Sequence, residues 1–372
     1  DGEFFTLPAN SPLPRIQEIQ KHLTEMEKKT TATTLPPPPS PSKATGTRPK
    51  DPPKRDFLQR IESMFQDVLR YENSELQEIA RHVVPITNLK LRAMERMRTL
   101  QKDLKDKNDE KGDETTGIEK DVSIDDLLLG ELLTWFKNDF FSWVNTMTCS
   151  FCSAACEFSR NEYRNDPRIS RVEIHKCKLC ETEEEFPRYT DPKVLLTTRK
   201  GRCGEWANAF TLICRALSFD TRIVHDETDH VWAEVWSIAG NRWLHADPCE
   251  DALDRPLLYE KGWKKKLSYV IAYSRDEIQD VTWRYTRDQT SVMKRRNLCS
   301  EESLAALIWR LNEQRQNSHG YSQVRKKFVL NRRLMELAEF LRIPGQVDDD
   351  QNEYGGRVSG DAAWRMARGE IP

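Results

Sequence analysis

Apolar residues first recur at helical spacing between positions 57 and 104. Phe57, Ile61, Met64, Phe65 and Val68 share one face, and Leu76, Ile79, Ala80 and Val83 share another. Pro85 interrupts the pattern, which Leu89, Ala93, Met97, Leu100 and Leu104 resume. Residues 105–121 are charged, contain two glycines and read as a loop. Ser123 ahead of Ile124-Asp125-Asp126-Leu127 predicts a capping box with Asp in its fourth position. The helix behind it carries Leu127, Leu128, Leu129, Leu132, Leu133, Trp135, Phe136, Phe140 and Phe141, apolar on most sides, and is expected to be buried. Residues 149–180 are short and polar between cysteine pairs. Helical spacing returns over 201–218, where Trp206, Phe210, Ile213, Cys214 and Leu217 line one side. Strand-like runs follow at 221–225, 230–237 and 242–246, with Gly240-Asn241 as the hairpin turn between the last two. Two more helical stripes close the pattern: Leu304, Leu307, Ile308 and Leu311, then Leu330, Leu334, Leu337, Ala338 and Leu341. There is no internal repeat.

Composition divides the chain. Residues 1–54 hold little that packs, and the run Pro36-Pro37-Pro38-Pro39 favours an extended spacer over an SH3 ligand. The pattern predicts a disordered Pro-rich tail over 1–54, a helical segment and charged loop over 55–121, a core over 122–299, helices over 300–343, and a linker with a further segment over 344–372. The 58 basic and 60 acidic residues leave a net charge of -2, which supplies no general field for nucleic acid or an anionic membrane. Local basic runs such as Lys264-Lys265-Lys266 read as solvated faces. No stretch approaches the roughly 18 apolar residues of a membrane helix, and no signal peptide is visible. The chain starts at Asp1, so a missing upstream part is expected. Nine cysteines without framework spacing suit a reducing compartment, so the cytoplasm is expected, with the nucleus as a further location.

Three polar residues carry the candidate chemistry. Cys203 lies in Gly201-Arg202-Cys203-Gly204-Glu205-Trp206 at the predicted start of a helix, where the dipole lowers a thiol pKa and backbone N–H groups offer an oxyanion hole. His230 opens one strand of the hairpin and Asp247 follows its partner, so imidazole and carboxylate can meet at one end. A nucleophile, its base and the base's orienter need these residue types. His225 and His245 compete for the role of base. Cys149/Cys152 and Cys177/Cys180 are two-residue knuckles whose four thiolates suit one closed, structural zinc site, with Cys156 and His175 as rival ligands.

These motifs resemble the cytoplasmic peptide:N-glycanases. The resemblance rests on Trp135-Phe136-Lys137 with Trp143-Val144-Asn145, both cysteine pairs, the Cys203 turn through Asn208, Thr228-Asp229-His230-Val231-Trp232, and Trp243 to Glu250; Leu257-Leu258-Tyr259-Glu260 and Lys266 to Ala272 also fit. It implies an α+β, transglutaminase-like fold related to papain. The nucleophilic Cys then sits on a helix N-terminus against an antiparallel sheet, with flanking helices and a zinc-binding subdomain over about 146–190. It implies a deglycosylating amidase acting on misfolded N-glycoproteins in ER-associated degradation, with Cys203, His230 and Asp247 as the triad. Trp143, Arg222, Trp232, Glu250 and Trp263 would line or support the cleft. It also implies a proteasome shuttle protein as partner of the helices at 300–342, for which packing onto the core is the competing account. A segregase ATPase would be the partner of an N-terminal domain not recognisable in residues 1–54. Gly355-Gly356-Arg357-Val358-Ser359-Gly360 onward looks like the opening of the family's glycan-binding β-sandwich, so a fragment centred on the catalytic core is expected. A transglutaminase, a cysteine protease, and a DNA-repair-type transglutaminase-like module without catalysis are the alternatives.

Overall fold

The structure, a computed structural model, describes residues 56–111, 123–341 and 354–367; the expected Pro-rich tail lies outside them. The chain opens with helices α1 (Phe57–Asp67), α2 (Ser74–Val83) and α3 (Ile86–Lys111), with Pro85 at the break between the last two. Phe57, Ile61, Phe65 and Val68 face the core as their spacing predicts, while Met64 is only partly buried. Asn73 caps α2 by accepting from the Leu76 N–H. Along α3 the buried stripe stops after Ala93, and Leu100 is exposed. The predicted loop from residue 105 is corrected here: α3 continues to Lys111. Its Lys and Glu residues are sound helix formers, and no Gly or Pro interrupts it before Gly112. The remainder of that expected loop, 112–122, lies outside the described residues.

Next come α4 (Ile124–Trp135) with a π-turn to Phe140, and the short strand β1 (Ser142–Trp143). Ser123 caps α4 through Asp126 N–H, 3.1 Å. The capping box is only half built, because the Asp126 carboxylate accepts from Ser237 Oγ instead. A three-stranded antiparallel sheet follows: β2 (Cys156–Glu162), β3 (Ile169–Cys177) and β4 (Glu183–Tyr189). Pattern reading missed these strands. Most of their residues are charged or exposed, so no apolar alternation marks them.

Helix α5 (Pro192–Thr198) and strand β5 (Lys200–Gly201) lead into α6 (Cys203–Ala216), and then β6 (Thr221–Asp226), β7 (His230–Ser237), β8 (Arg242–Asp247) and β9 (Ala252–Leu253). With β10 (Val270–Tyr273) and β11 (Ile278–Asp280) these make an antiparallel sheet of order β11-β10-β6-β7-β8-β9. The β7–β8 hairpin is joined by a four-residue loop rather than by Gly240-Asn241 alone, since Ser237 pairs with Arg242. Ala233 and Val235 on one sheet face pack with Phe210 and Ile213 of α6 in the main core. Trp232, Tyr259, Trp263 and Tyr285 form a second apolar cluster.

Helices α7 (Gln289–Arg295), α8 (Glu301–Gln316) and α9 (Gln323–Phe340) cover the sheet's flank, and the short helix α10 (Ala362–Ala367) ends the described residues. Leu304, Leu307 and Leu311 dock α8 as expected. On α9 the prediction inverts. The buried residues are Val329, Arg332 and Glu336, while Leu330 and Leu341 of the apolar stripe are about half exposed. Charge docks this helix. Arg222 pairs with Glu234 and Glu336, Arg284 bridges the same two carboxylates at 2.7 and 2.8 Å, and Arg332 pairs with Glu277 at 2.6 Å, nearly all without solvent contact. Removing one partner from such a buried network costs about 3–5 kcal/mol, because the other charge is stranded. No described helix is long and apolar enough to cross a membrane.

Candidate active site

Cys203 is the first residue of α6, and the turn before it is built for one backbone path. The Glu205 carboxylate accepts from the Arg202 N–H at 2.9 Å, tying the helix's free first turn to its own third residue. A Cβ on Gly201 would collide with the Glu205 side chain, so glycine is required there. One at Gly204 would meet nothing within 4 Å, so crowding does not explain that residue. Backbone pairing of Trp143 with Gly201 holds β1 beside the turn.

His230 is placed by a tight hairpin. Asp226 pairs with His230, leaving a three-residue loop whose last member, Asp229, has φ of 74°. The Asp226 carboxylate fastens this loop by accepting from Thr228 N–H at 2.9 Å and from Lys265 at 2.6 Å. His230 Nε2 then lies 2.7 Å from Asp247 Oδ2, with both side chains fully buried. Asp247 accepts further bonds from Tyr259 Oη at 2.9 Å and from Cys249 N–H at 2.8 Å. With Nε2 engaged, Nδ1 is the ring nitrogen left for the sulfur, and it is buried without a hydrogen-bond partner.

The electrostatics agree with a thiol, imidazole and carboxylate in series. Burial pushes the Cys203 thiol up. The hydrogen bond and charge of His230, aided by the charge of Arg357, outweigh burial and leave the thiol below its ordinary value. Burial alone would lower His230, but Asp247 and Cys203 raise it. Asp247 is held well below the carboxylate range despite burial, chiefly by His230. The rivals fall away: burial drops both His225 and His245 to about 4, and His245 Nε2 is spent on Tyr259 Oη at 2.7 Å.

The five cleft expectations separate. Trp263 lies against His230 and Trp143 beside the Cys203 turn, while Glu250 accepts from the Val358 and Ser359 N–H groups. The Trp263 ring is 4.8 Å from the His230 ring, and Trp143 packs on Trp206 of α6. The Trp143 indole N–H is buried without an acceptor. Trp232 and Arg222 require correction as cleft-lining residues. Trp232 is fully buried behind His230 and gives its N–H to Tyr285 at 2.8 Å. Arg222 is fully buried in the α9 ion network and makes no pair with Glu250. Arg222 shares a sheet face with His230, which pattern alone cannot tell from sharing a cleft. Tyr259, which braces Asp247, was missed as a site residue. It sits twelve positions away on a π-turn (Leu258–Gly262), and its only signal was the motif Leu257-Leu258-Tyr259-Glu260.

Cys149, Cys152, Cys177 and Cys180 bring their sulfurs within 4.8 Å of one another, with Cys149–Cys180, Cys152–Cys177 and Cys152–Cys180 at 3.4 to 3.5 Å. A tetrahedral ion at 2.3 Å from each sulfur needs edges of about 3.8 Å, so the set fits a metal closely. The Leu179 N–H points at Cys177 Sγ and Thr182 bonds Cys180, as thiolate knuckles require. The rivals stay out: Cys156 Sγ faces Ala154 O, and His175 lies against Glu173. From this sheet an ionic chain reaches the Cys203 turn. Glu173 binds Arg188 at 2.7 Å and Arg202 at 3.0 Å, and Arg188 binds Glu205 at 2.7 Å.

Two family models match the chain: the transglutaminase-like superfamily over residues 157–248 and the Rad4 transglutaminase-like domain over 223–341. The matched span includes Cys203, His230 and Asp247. The chain belongs to the transglutaminase-like superfamily, as a relative of the peptide:N-glycanases. It is 48% identical to the peptide-N(4)-(N-acetyl-beta-glucosaminyl)asparagine amidase of Mus musculus, over 84% of this chain and 46% of that protein. The Drosophila melanogaster protein of the same name is 40% identical over 85% of this chain and 47% of its own length. This chain therefore spans about half the length of the curated relatives it matches. A solved structure of Rad4–Rad23 crosslinked to an undamaged DNA aligns at a TM-score of 0.43 and 14% identity, covering 75% of this chain and 57% of that one.

Proposed function

We propose that the chain is the catalytic core of a peptide:N-glycanase, hydrolysing the amide between N-acetylglucosamine and an Asn side chain in misfolded N-glycoproteins during ER-associated degradation. The observation that carries this is Cys203, a part-buried residue at the start of α6, together with the buried His230–Asp247 pair, in a chain homologous to that enzyme over its core.

In this reading the Cys203 thiolate attacks the side-chain carbonyl carbon. The oxyanion is met by N–H groups at the start of α6 and by the unengaged Trp143 indole. His230 gives its proton to the departing glycosylamine nitrogen as the C–N bond breaks and a thioester forms. It then takes a proton from water, which cleaves the thioester, frees the thiol and leaves Asp. The glycosylamine loses ammonia in solution. The metal, which we take to be zinc because four thiolates close a tetrahedron, braces the cleft wall and enters no step. All nine cysteines are free, which supports a cytoplasmic location, tested by protease protection of cell fractions. The near-neutral charge balance supports no nucleic-acid partner.

Three substrates test the activity: a glycopeptide, a Gln peptide with a primary amine, and a plain peptide. Glycan release alone is expected. Amine incorporation or peptide cleavage without glycan release would assign the same triad to a transglutaminase or protease.

Exposed apolar residues on α9 support the shuttle-protein partner. Val324 is 82% and Leu330 49% exposed on a helix otherwise docked by charge. Changing both to Asp should abolish pull-down of a proteasome shuttle protein with glycan release kept; undiminished pull-down would remove this surface from consideration. An ATPase partner would engage residues ahead of the described core.

A further inference from the structure

The segment 354–367 lies directly on the active site, and both sides are shaped for it. Glu250 spends one carboxylate oxygen on the Val358 N–H at 2.7 Å and the other on the Ser359 N–H at 2.9 Å. Asn145 Oδ1 accepts from the Asp361 N–H at 2.8 Å. A Cβ on Gly262 would strike the Gly355 carbonyl. Gly360 has φ of 85°, and a Cβ there would approach the Trp364 ring to 2.7 Å. Within this strap the Arg357 guanidinium is 1% exposed. It faces the rings of Trp263 at 4.6 Å, Trp364 at 4.6 Å and Trp143 at 5.4 Å, while its Nε donates to Ser359 Oγ at 2.9 Å. A desolvated cation over indole faces is attracted by the negative ring faces more strongly than one in water.

The cage is made of the catalytic surroundings. Trp263 packs on His230, and Trp143 is paired with the residue two positions before Cys203. The strap is not a plug. Cys203 stays partly exposed beneath it. Trp364 also joins Asn145, Phe158, His175 and Arg202 around an open cavity of about 760 Å³ at the nucleophile's turn.

We propose that the segment 354–367 is a working wall of this active site, and that Arg357 is a positioning residue. It clamps Trp143 and Trp263 against the nucleophile's turn and the imidazole, and it supplies a fixed positive charge beside the Cys203 thiolate. The groups whose charge acts on the sulfur are His230, Asp229 and Arg357, with the Cys249 thiol held neutral nearby. His230 and Arg357 favour the thiolate, whereas burial and Asp229 oppose it. The neighbouring Arg202 is already committed to Glu173. Glu250 thereby becomes the strap's anchor rather than a substrate contact.

The proposal rests on Cys203 being the nucleophile, but its test reads the sulfur alone. The rate of iodoacetamide alkylation is followed across pH on the Cys203 peptide by mass spectrometry, in wild type, Arg357→Gln and Arg357→Lys, with thermal unfolding as the check on folding. Arg357→Gln is expected to move the alkylation midpoint upward, slowing alkylation about 3- to 10-fold at pH values below it, since one unit of pKa is tenfold in thiolate. Arg357→Lys, which keeps the charge, should stay near wild type. An unmoved midpoint in folded Arg357→Gln, or a Lys variant as shifted as the Gln variant, overturns the proposal. Alkylation that accelerates at every pH overturns it too, and makes the strap a plug. Loss of glycan release with the alkylation profile intact would count against the charge role and leave the nucleophile assignment standing.

Discussion

Asp247→Asn is expected to cut glycopeptide turnover by about 10⁴-fold, close to the loss from Cys203→Ala, in protein that still folds. The geometry gives the reason. Asp247 Oδ1 accepts from Cys249 N–H, so an Asn keeps its carbonyl there and turns its NH₂ toward His230 Nε2. Nε2 must then accept, the ring proton moves to Nδ1, and Nδ1 can no longer take a proton from the sulfur. The charge argument runs the same way. His230 is raised because Asp247, with Cys203, outweighs burial; without the Asp247 charge the larger opposing cause is gone and the imidazole pKa falls. Cys203 in turn loses the imidazolium that holds it down. The thiolate–imidazolium pair exists between the lowered thiol pKa and the raised imidazole pKa, so the substitution closes that window from both sides. The pH profile of kcat/KM should narrow, and the alkylation midpoint of Cys203 should move to higher pH. A variant within tenfold of wild type, or one whose profile keeps its width, would mean that Asp247 does not orient His230.

The legibility of this site follows from how locally each part is encoded. Cys203 was readable because a Gly-flanked Cys ahead of an amphipathic run marks a helix start, and Gly201 proves sterically required. His230 and Asp247 were readable because two strands joined by a short loop must bring their open ends together, whichever residues fill the loop. The knuckles were readable from spacing alone. What escaped depends on partners far along the chain. Tyr259 and the Glu173–Arg188–Glu205 chain have no periodicity to announce them. Apolar stripes misled on α9, where the buried face is ionic because Glu234 and Glu277 of the opposing layer await cations. The strap looked like the start of a separate module, since its conformation is set by Glu250 and three tryptophans rather than by any pattern of its own.

Stripping the metal, or replacing Cys177 with Ser, should unfold the β2–β4 wall and reduce glycan release at least tenfold, although no metal ligand takes part in the chemistry. Beyond the four thiols, the wall's buried apolar side chains are few, chiefly Val172, Ile174 and Phe186. β2 is exposed along nearly its whole length, and the interior near the knuckles is mostly the cysteines themselves with Met147 and Ala154. A structural zinc contributes about 10–16 kcal/mol in small domains, against the roughly 5–15 kcal/mol that stabilises a whole domain, so the apolar residues of this sheet cannot compensate. Unfolding removes Glu173 and Arg188 together, and with them the clamp on Glu205 that fixes the Arg202–Cys203 turn. The loss should therefore appear in kcat and in Cys203 alkylation, not only in substrate affinity. New proteolytic cleavage should fall within 146–190 while α6 and the large sheet stay protected. Cys156→Ser is the control: that thiol lies outside the four-sulfur set, so metal content should not change. A chelated protein that keeps its proteolysis pattern and its turnover would show the four thiols to be dispensable and the wall to be self-supporting.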